Sequence, residues 1–254
     1  MNQEERIKSI VDYLKINQKI SMEEICALYE VSYDTARRDM VKMETDGLIV
    51  RVRGGAILPS MTKHISSYKE RLTDSGNKRS IAVAAASLIQ DGDYLMLDTG
   101  TTTQYIAEFM TTTDNVVVTN SIDIAAVLCD KSQTTTHLLG GVVNTWHRYA
   151  FGPRTIEMLS EIRVDKLFLG TCGITAEGLF APTVEEAYLK REMIKRANQV
   201  ILLADSSKFE KNLFHRVCPF DAIDMLITDA EPKAPFVKIF NEFDIEMVVA
   251  STSL

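Results

Sequence analysis

Seven short apolar runs recur between residues 94 and 250, and they leave few folds open. They are YLMLD (94–98), NVVVTN (115–120), THLLG (136–140), KLFLG (166–170), QVILLAD (199–205), MLITD (225–229) and IEMVVA (245–250). Each is too short for a helix and apolar on successive residues, so both of its faces need cover. Segments with helical spacing separate them, near 77–90, 102–111, 121–130, 152–162 and 184–197. The first of these presents Ala82, Ala85, Ala86 and Ile89 on one face, and Gly92 stops it. Strands buried on both faces and joined by helices predict an α/β unit with a mostly parallel sheet.

The first sixty residues follow another pattern. Ile7, Ile10, Val11 and Leu14 form one stripe of a helix from about Gln3 to Ile16. Ser21 and Glu24 have capping-box spacing, and Met22, Ile25 and Leu28 supply the buried face of a second helix. After a short turn from Tyr29 to Val31, Ser32 caps a third helix. That helix turns Ala36, Met40 and Met43 inward, leaves Arg37, Arg38 and Lys42 outside, and ends at Gly47. In LIVRVRGGA (48–56), Leu48, Val50 and Val52 alternate with Ile49, Arg51 and Arg53, and Gly54–Gly55 make a tight tip. Three helices and a basic hairpin make a winged helix-turn-helix. The major groove admits one helix, and arginine reaches both phosphates and base edges. A small helical bundle with a solvated charged face, Arg38 and Asp39 in surface ion pairs, is the alternative.

Charge sharpens this. The net charge is −7, from 28 basic and 35 acidic residues, which excludes an extended basic coat but not a local one. Arg37, Arg38, Lys42, Arg51 and Arg53 fall within seventeen residues. No apolar run is long enough to span a membrane, and residues 1–8 lack a signal-peptide core, which points to the cytoplasm. Cys26, Cys129, Cys172 and Cys218 are widely spaced and expected to be reduced. No HExxH and no GxGxxG after a strand occur, so no metal and no cofactor are expected.

Open α/β sheets bind ligands at the carboxyl ends of their strands. Those ends offer Asp98-Thr99-Gly100-Thr101-Thr102-Thr103, Thr119-Asn120-Ser121, Gly140-Gly141, Gly170-Thr171-Cys172-Gly173 and Asp205-Ser206-Ser207-Lys208. A glycine and hydroxyls at a helix start form an oxyanion cradle, and Lys208 can meet an anion. The ligand implied is small, hydroxylated and phosphorylated. Caps, self-satisfied loop threonines and a solvated lysine are the plain alternatives. Among the acids Asp98, Glu177, Glu185, Glu186 and Asp205, none is expected at the GTCGIT exit of the fourth strand, and neither His137 nor His147 has a clear acidic partner. No catalytic residue is assigned.

These segments together resemble the DeoR family of bacterial transcriptional regulators. VSYDTARRDMVKMETDGLIVRVRGGA (31–56) is similar to the family's VS-x-x-TIRRDL recognition helix and wing, with Ala36 for isoleucine and Met40 for leucine. DTGTTT (98–103), VVTNS (117–121), LLGG (138–141), EA-x-x-KR (186–191) and ADSSKF (204–209) resemble landmarks of its second half, and Lys78 and Arg79 stand where a lysine often opens the first helix. The resemblance implies a DNA-binding domain over 1–57, a linker over 58–76 and a ligand-sensing, oligomerising domain over 77–254. The last would be similar in fold to ribose-phosphate isomerase and glucosamine-phosphate deaminase.

It implies operator contacts by Ser32, Tyr33, Thr35, Arg37, Arg38 and Lys42, wing contacts by Arg51 and Arg53, and an effector pocket of Lys78, Asp98, Gly100, Thr101, Thr102, Thr103, Asn120, Gly141 and Lys208. The expected function is a homo-oligomeric repressor of a sugar or polyol operon, released by a phosphorylated intermediate acting through residues 57–80. A sugar-phosphate isomerase or deaminase with a DNA-binding head, or a pure protein-interaction module, remains the alternative.

Overall fold

The computed structural model describes residues 2–17, 19–46, 48–58 and 76–250. Contacts divide the chain into two compact units, residues 1–64 and 65–254. Gly47 and all but the two end residues of the expected linker 58–76 lie outside the described residues.

In the first unit, α1 (Gln3–Asn17) buries Ile7, Ile10 and Leu14. The short strand β1 (Lys19–Ile20) leads to α2 (Met22–Tyr29). Ser21 caps α2 reciprocally: its hydroxyl accepts the Glu24 amide at 3.1 Å, and its own amide donates to the Glu24 carboxylate at 2.7 Å. Glu30, left-handed at φ 50, closes α2, and Ser32 caps α3 (Tyr33–Thr45) by accepting the Thr35 amide. Ala36, Met40 and Met43 pack with Ile10, Ile20, Ile25, Ile49 and Ala56. Leu28 departs from expectation and is half exposed, because Met22, Ile25, Cys26 and Tyr29 form the packed stripe of α2 and turn Leu28 outward.

The hairpin strands β2 (Val50–Val52) and β3 (Gly55–Ile57) pair antiparallel, and β1 adds to the other side of β3. The third strand was not expected. Ile49 is buried just before β2, while Val50, Arg51 and Val52 are all exposed, so valine–arginine alternation does not separate core from solvent here. The core side of this sheet is carried by Ala56 of the central strand β3 and Ile20 of β1. Gly55 has φ +151, and a Cβ there would run into the Ile20 carbonyl.

Asp39 is not in the surface ion pair of the alternative reading. It is fully buried, and its carboxylate accepts Arg6 Nε at 2.5 Å, Arg6 Nη2 at 3.3 Å and the Gln3 amide at 2.8 Å. Two residues of α1 therefore fix the middle of α3.

In the second unit, all seven apolar runs are strands of one sheet. They are β4 (Tyr94–Leu97), β5 (Asn115–Thr119), β6 (Thr134–Leu138), β9 (Val164–Gly170), β12 (Ala197–Leu203), β14 (Met225–Thr228) and β15 (Glu246–Val249). Their order is β15-β14-β12-β9-β4-β5-β6, with every pair parallel. The remaining strands are antiparallel additions: a hairpin of β7 (Val142–Asn144) with β8 (Tyr149–Phe151), and a sheet of β10 (Gly173–Thr175), β11 (Gly178–Ala181) and β13 (His215–Cys218).

Leu95, Leu97, Phe168, Ile201 and Leu203 face one way, onto α4 (Gly76–Ala86), α5 (Thr101–Phe109) and α6 (Ile122–Cys129). Met96, Leu167, Leu169, Val200 and Leu202 face the other, onto α7 (Pro153–Ser160), α8 (Val184–Ile194) and α9 (Ala234–Glu242). β5 and β6 lie to one side of β4, while β9, β12, β14 and β15 lie to the other. The winding reverses between β4 and β9, which opens a crevice at their carboxyl ends.

The buried pair in the head yields a prediction. Asp39→Ala strands a buried guanidinium and costs the head about 3–5 kcal/mol. Hydrogen exchange of α1 and α3 amides in the full chain measures it. Protection within about 1 kcal/mol of wild type would mean that the pair does not hold α3.

Candidate functional site

Two surfaces carry the residues singled out from sequence. On the head, Arg37, Arg38 and Lys42 are exposed on α3, opposite the packed Ala36, Met40 and Met43. Tyr33 is also exposed, at the amino end of the helix. Ser32 and Thr35 are engaged with each other: their hydroxyls lie 3.0 Å apart, and the Ser32 oxygen takes the Thr35 amide. They set where α3 begins. Arg51 is half exposed and lies 3.7 Å from Glu44, a contact that solvent weakens. Arg53 stands in the turn between β2 and β3, with its side chain outside.

On the second unit, two adjoining cavities of about 370 and 490 Å³ open at the carboxyl ends of the sheet. Thr99, Cys172, Glu186 and Lys190 line both. Lys78, Gly100, Thr101, Thr102, Thr103, Asp205 and Lys208 belong to the larger one. Asp98, Asn120, His147 and Tyr149 belong to the smaller. In the larger cavity α5 begins at Gly100, which offers no side-chain cap, so its first amides remain for an anion. Lys78 approaches from α4 and Lys208 from the loop after β12, where its ammonium is 3.8 Å from Asp205. Burial and the neighbouring Lys208 charge lower the Lys211 ammonium from its ordinary range, so positive charge is crowded beside this cavity.

The floor between the cavities is a buried ion pair. The Lys190 ammonium donates to the Asp98 carboxylate and, at 2.9 Å, to the Gly170 carbonyl. Asp98 also accepts the Gly170 amide at 3.0 Å. Asp98 ends β4, Gly170 ends β9 and Lys190 stands on α8, so the pair sits where the winding reverses. Burial works against the Lys190 charge, but Asp98 and Glu186 beside it hold the ammonium above the usual lysine range. Tyr149 is pushed the same way by burial and by Glu186, so its hydroxyl stays protonated.

The structure brings together eight of the nine expected pocket residues. Thr103 spends its hydroxyl on the Asp98 carbonyl at 2.6 Å, shaping the loop. Asn120 accepts the Thr99 hydroxyl at 2.9 Å and donates to the Ala150 carbonyl at 3.1 Å. Gly141 is a correction: it lines neither cavity. It has φ +152, and a Cβ there would meet the Phe151 carbonyl and Thr155, so its role is packing under the hairpin. A second correction concerns the exit of the fourth strand. Glu186 of α8 comes back over it, and the Cys172 thiol lies 3.4 Å from its carboxylate. Lys190, Glu186, His147 and Tyr149 were missed as pocket residues. The EA-x-x-KR stretch held the signal for the first two, since Glu186 and Lys190 are one helical turn apart. Arg79 instead covers the Tyr105 ring at 4.6 Å.

A profile of the DeoR-like helix-turn-helix domain matches residues 6–62, and one of the DeoR C-terminal sensor domain matches residues 73–230. The chain is 44% identical over 250 residues to the HTH-type transcriptional repressor GlcR of Bacillus subtilis (strain 168), covering 98% of this chain and 97% of that one. It is 32% identical to the putative aga operon transcriptional repressor of Escherichia coli O157:H7, over 96% of this chain and 93% of that one. It is 30% identical to the glycerol-3-phosphate regulon repressor of Escherichia coli (strain K12), over 97% and 99%. Among solved structures, ribose 5-phosphate isomerase A of Methanocaldococcus jannaschii aligns at 20% identity and a TM-score of 0.38, over 54% of this chain and 55% of that one.

The floor of the cavities yields a second prediction. Lys190→Met leaves Asp98 buried without its counter-charge and destabilises the second unit by about 3–5 kcal/mol. Lys208→Met, at a more open ion pair, costs less than about 1 kcal/mol. Urea unfolding followed by Trp146 fluorescence compares them, and equal small losses would remove Lys190 from its central place.

Proposed function

The chain belongs to the DeoR family of transcriptional regulators, and we propose that it represses a sugar or polyol utilisation operon and leaves its operator when a phosphorylated intermediate fills the second unit. One observation carries the sensing half: Lys78, Lys208 and the uncapped start of α5 converge on one cavity at the reversal point of the sheet. That combination suits a phosphate. Asn120, His147 and Tyr149 then face the rest of the ligand.

On the head, Arg37, Arg38 and Lys42 meet the major groove. Tyr33 stands beside them, Ser32 and Thr35 hold the helix start, and Arg51 and Arg53 reach the backbone from the wing. In this reading the DNA-binding domain is 1–57, the linker 58–76 and the sensor 77–254. The protein works in the cytoplasm as a homo-oligomer, because one recognition helix contacts too little duplex for tight, selective binding. No helix among the described residues is long and apolar enough to cross a membrane.

The chain is a regulator and not an enzyme, as its full-length relatives are named repressors. The carboxylate at the carboxyl end of β4, Asp98, is tied to Lys190 and the Gly170 amide and so is engaged in structure.

In fluorescence anisotropy with promoter DNA that the wild type selects, Arg37→Ala with Arg38→Ala lowers affinity by about a hundredfold or more and flattens the salt dependence. Unfolding of the second unit stays as in wild type. Undiminished binding would move the reading surface elsewhere. Lys208→Ala weakens release by a sugar phosphate while sparing operator affinity, and an unchanged release curve would take Lys208 out of the site.

A further inference from the structure

The proposed reading of the cavities leaves one carboxylate oxygen without a task. Glu186 lines both cavities, and its side chain is 16% exposed. Its Oε1 receives the Cys172 thiol at 3.4 Å and lies 3.7 Å from the Lys190 ammonium. Its Oε2 has no partner among the described residues. Lys190 already donates hydrogen bonds to Asp98 and the Gly170 carbonyl, so Glu186 is held from below and open to the cavities.

The charges at this point do not cancel. Among the described residues Asp98 and Glu186 share Lys190 as their ion-pair partner, while Lys78 and Lys208 both lie in the larger cavity. A ligand whose phosphate sits by those lysines reaches the smaller cavity past Glu186. A carboxylate oxygen only accepts hydrogen bonds. In a partly enclosed site it is satisfied by a donor and repels a second anion.

We infer that Glu186 is the specificity residue of the effector site: its free oxygen accepts a hydroxyl or amine of the ligand, so the site takes phosphate esters of neutral polyols or amino sugars and rejects those bearing a carboxylate. This rests on the reading of the larger cavity as the phosphate site. It adds which phosphorylated compounds are excluded, and which atom excludes them.

Matched probes test it by calorimetry on the full chain. Glycerol 3-phosphate is paired with 3-phosphoglycerate, and glucose 6-phosphate with 6-phosphogluconate. Inorganic phosphate reports on the lysine end alone. In the wild type, the neutral ester of the pair that fits binds about tenfold or more tighter than its carboxylate partner. Glu186→Gln, which keeps shape and an acceptor, narrows that ratio and leaves inorganic phosphate binding unchanged. Equal affinities within every pair in the wild type overturn the inference even if Glu186→Gln does not fold. So does a ratio that Glu186→Gln leaves intact. If the wild type binds inorganic phosphate and the esters without discrimination, the phosphate site stands and only Glu186 loses its role. If it binds none of the five compounds, the phosphate reading itself fails and this inference falls with it.

Discussion

The ion pair between Lys190 and Asp98 is the contact that ties together the crevice of the second unit. Two nearly buried charges are costly to take out of water, and they persist only with a full set of partners. Here each ion has a second partner: the ammonium also meets the Gly170 carbonyl, and the carboxylate also meets the Gly170 amide. Three elements are joined at one point, the ends of β4 and β9 and the middle of α8. The DTGTTT loop therefore leaves the sheet in a fixed direction, with the first amides of α5 toward the cavity. The same lysine sets Glu186 one helical turn away.

The head solves a similar problem with a similar device. Arg6 and Gln3 of α1 grip Asp39 in the middle of α3. Asp39 follows Arg37 and Arg38 directly in sequence, so anchoring it inward sends those two side chains out. In both units a buried carboxylate held by a cation orients the surface proposed to bind a ligand. Such pairs cost stability relative to apolar packing and are weak evidence for it, but they define one geometry.

Much of this was legible in the residues. Runs apolar on successive residues predict strands of a covered parallel sheet, and all seven were found in one sheet, with β6 and β15 at its edges. Capping signals are local chemistry, so Ser21, Glu24 and Ser32 read correctly. The antiparallel additions β7, β8, β10, β11 and β13 were not legible, because strands of three or four residues carry too little periodicity. Nor was α9. Lys190 and Glu186 were not placed in the pocket, since nothing in sequence says that this face of α8 closes over the sheet. Gly141 looked like a ligand approach and is a packing requirement, a distinction that needs the position of Phe151 and Thr155. Leu28 had the right spacing for burial, but Met22, Ile25, Cys26 and Tyr29 form the stripe that packs.

Regulation requires that the two units exchange free energy. If effector lowers operator affinity by some factor, operator must lower effector affinity by the same factor. The direct measurement is therefore the dissociation constant of the wild-type chain for its sugar phosphate, with and without saturating operator, beside the operator constant with and without saturating sugar phosphate. The account predicts two equal factors, each about five-fold or larger, with both ligands weakening one another. An effector constant that operator leaves unchanged would contradict it, since the cavity would then hold its ligand without reporting on it to the head.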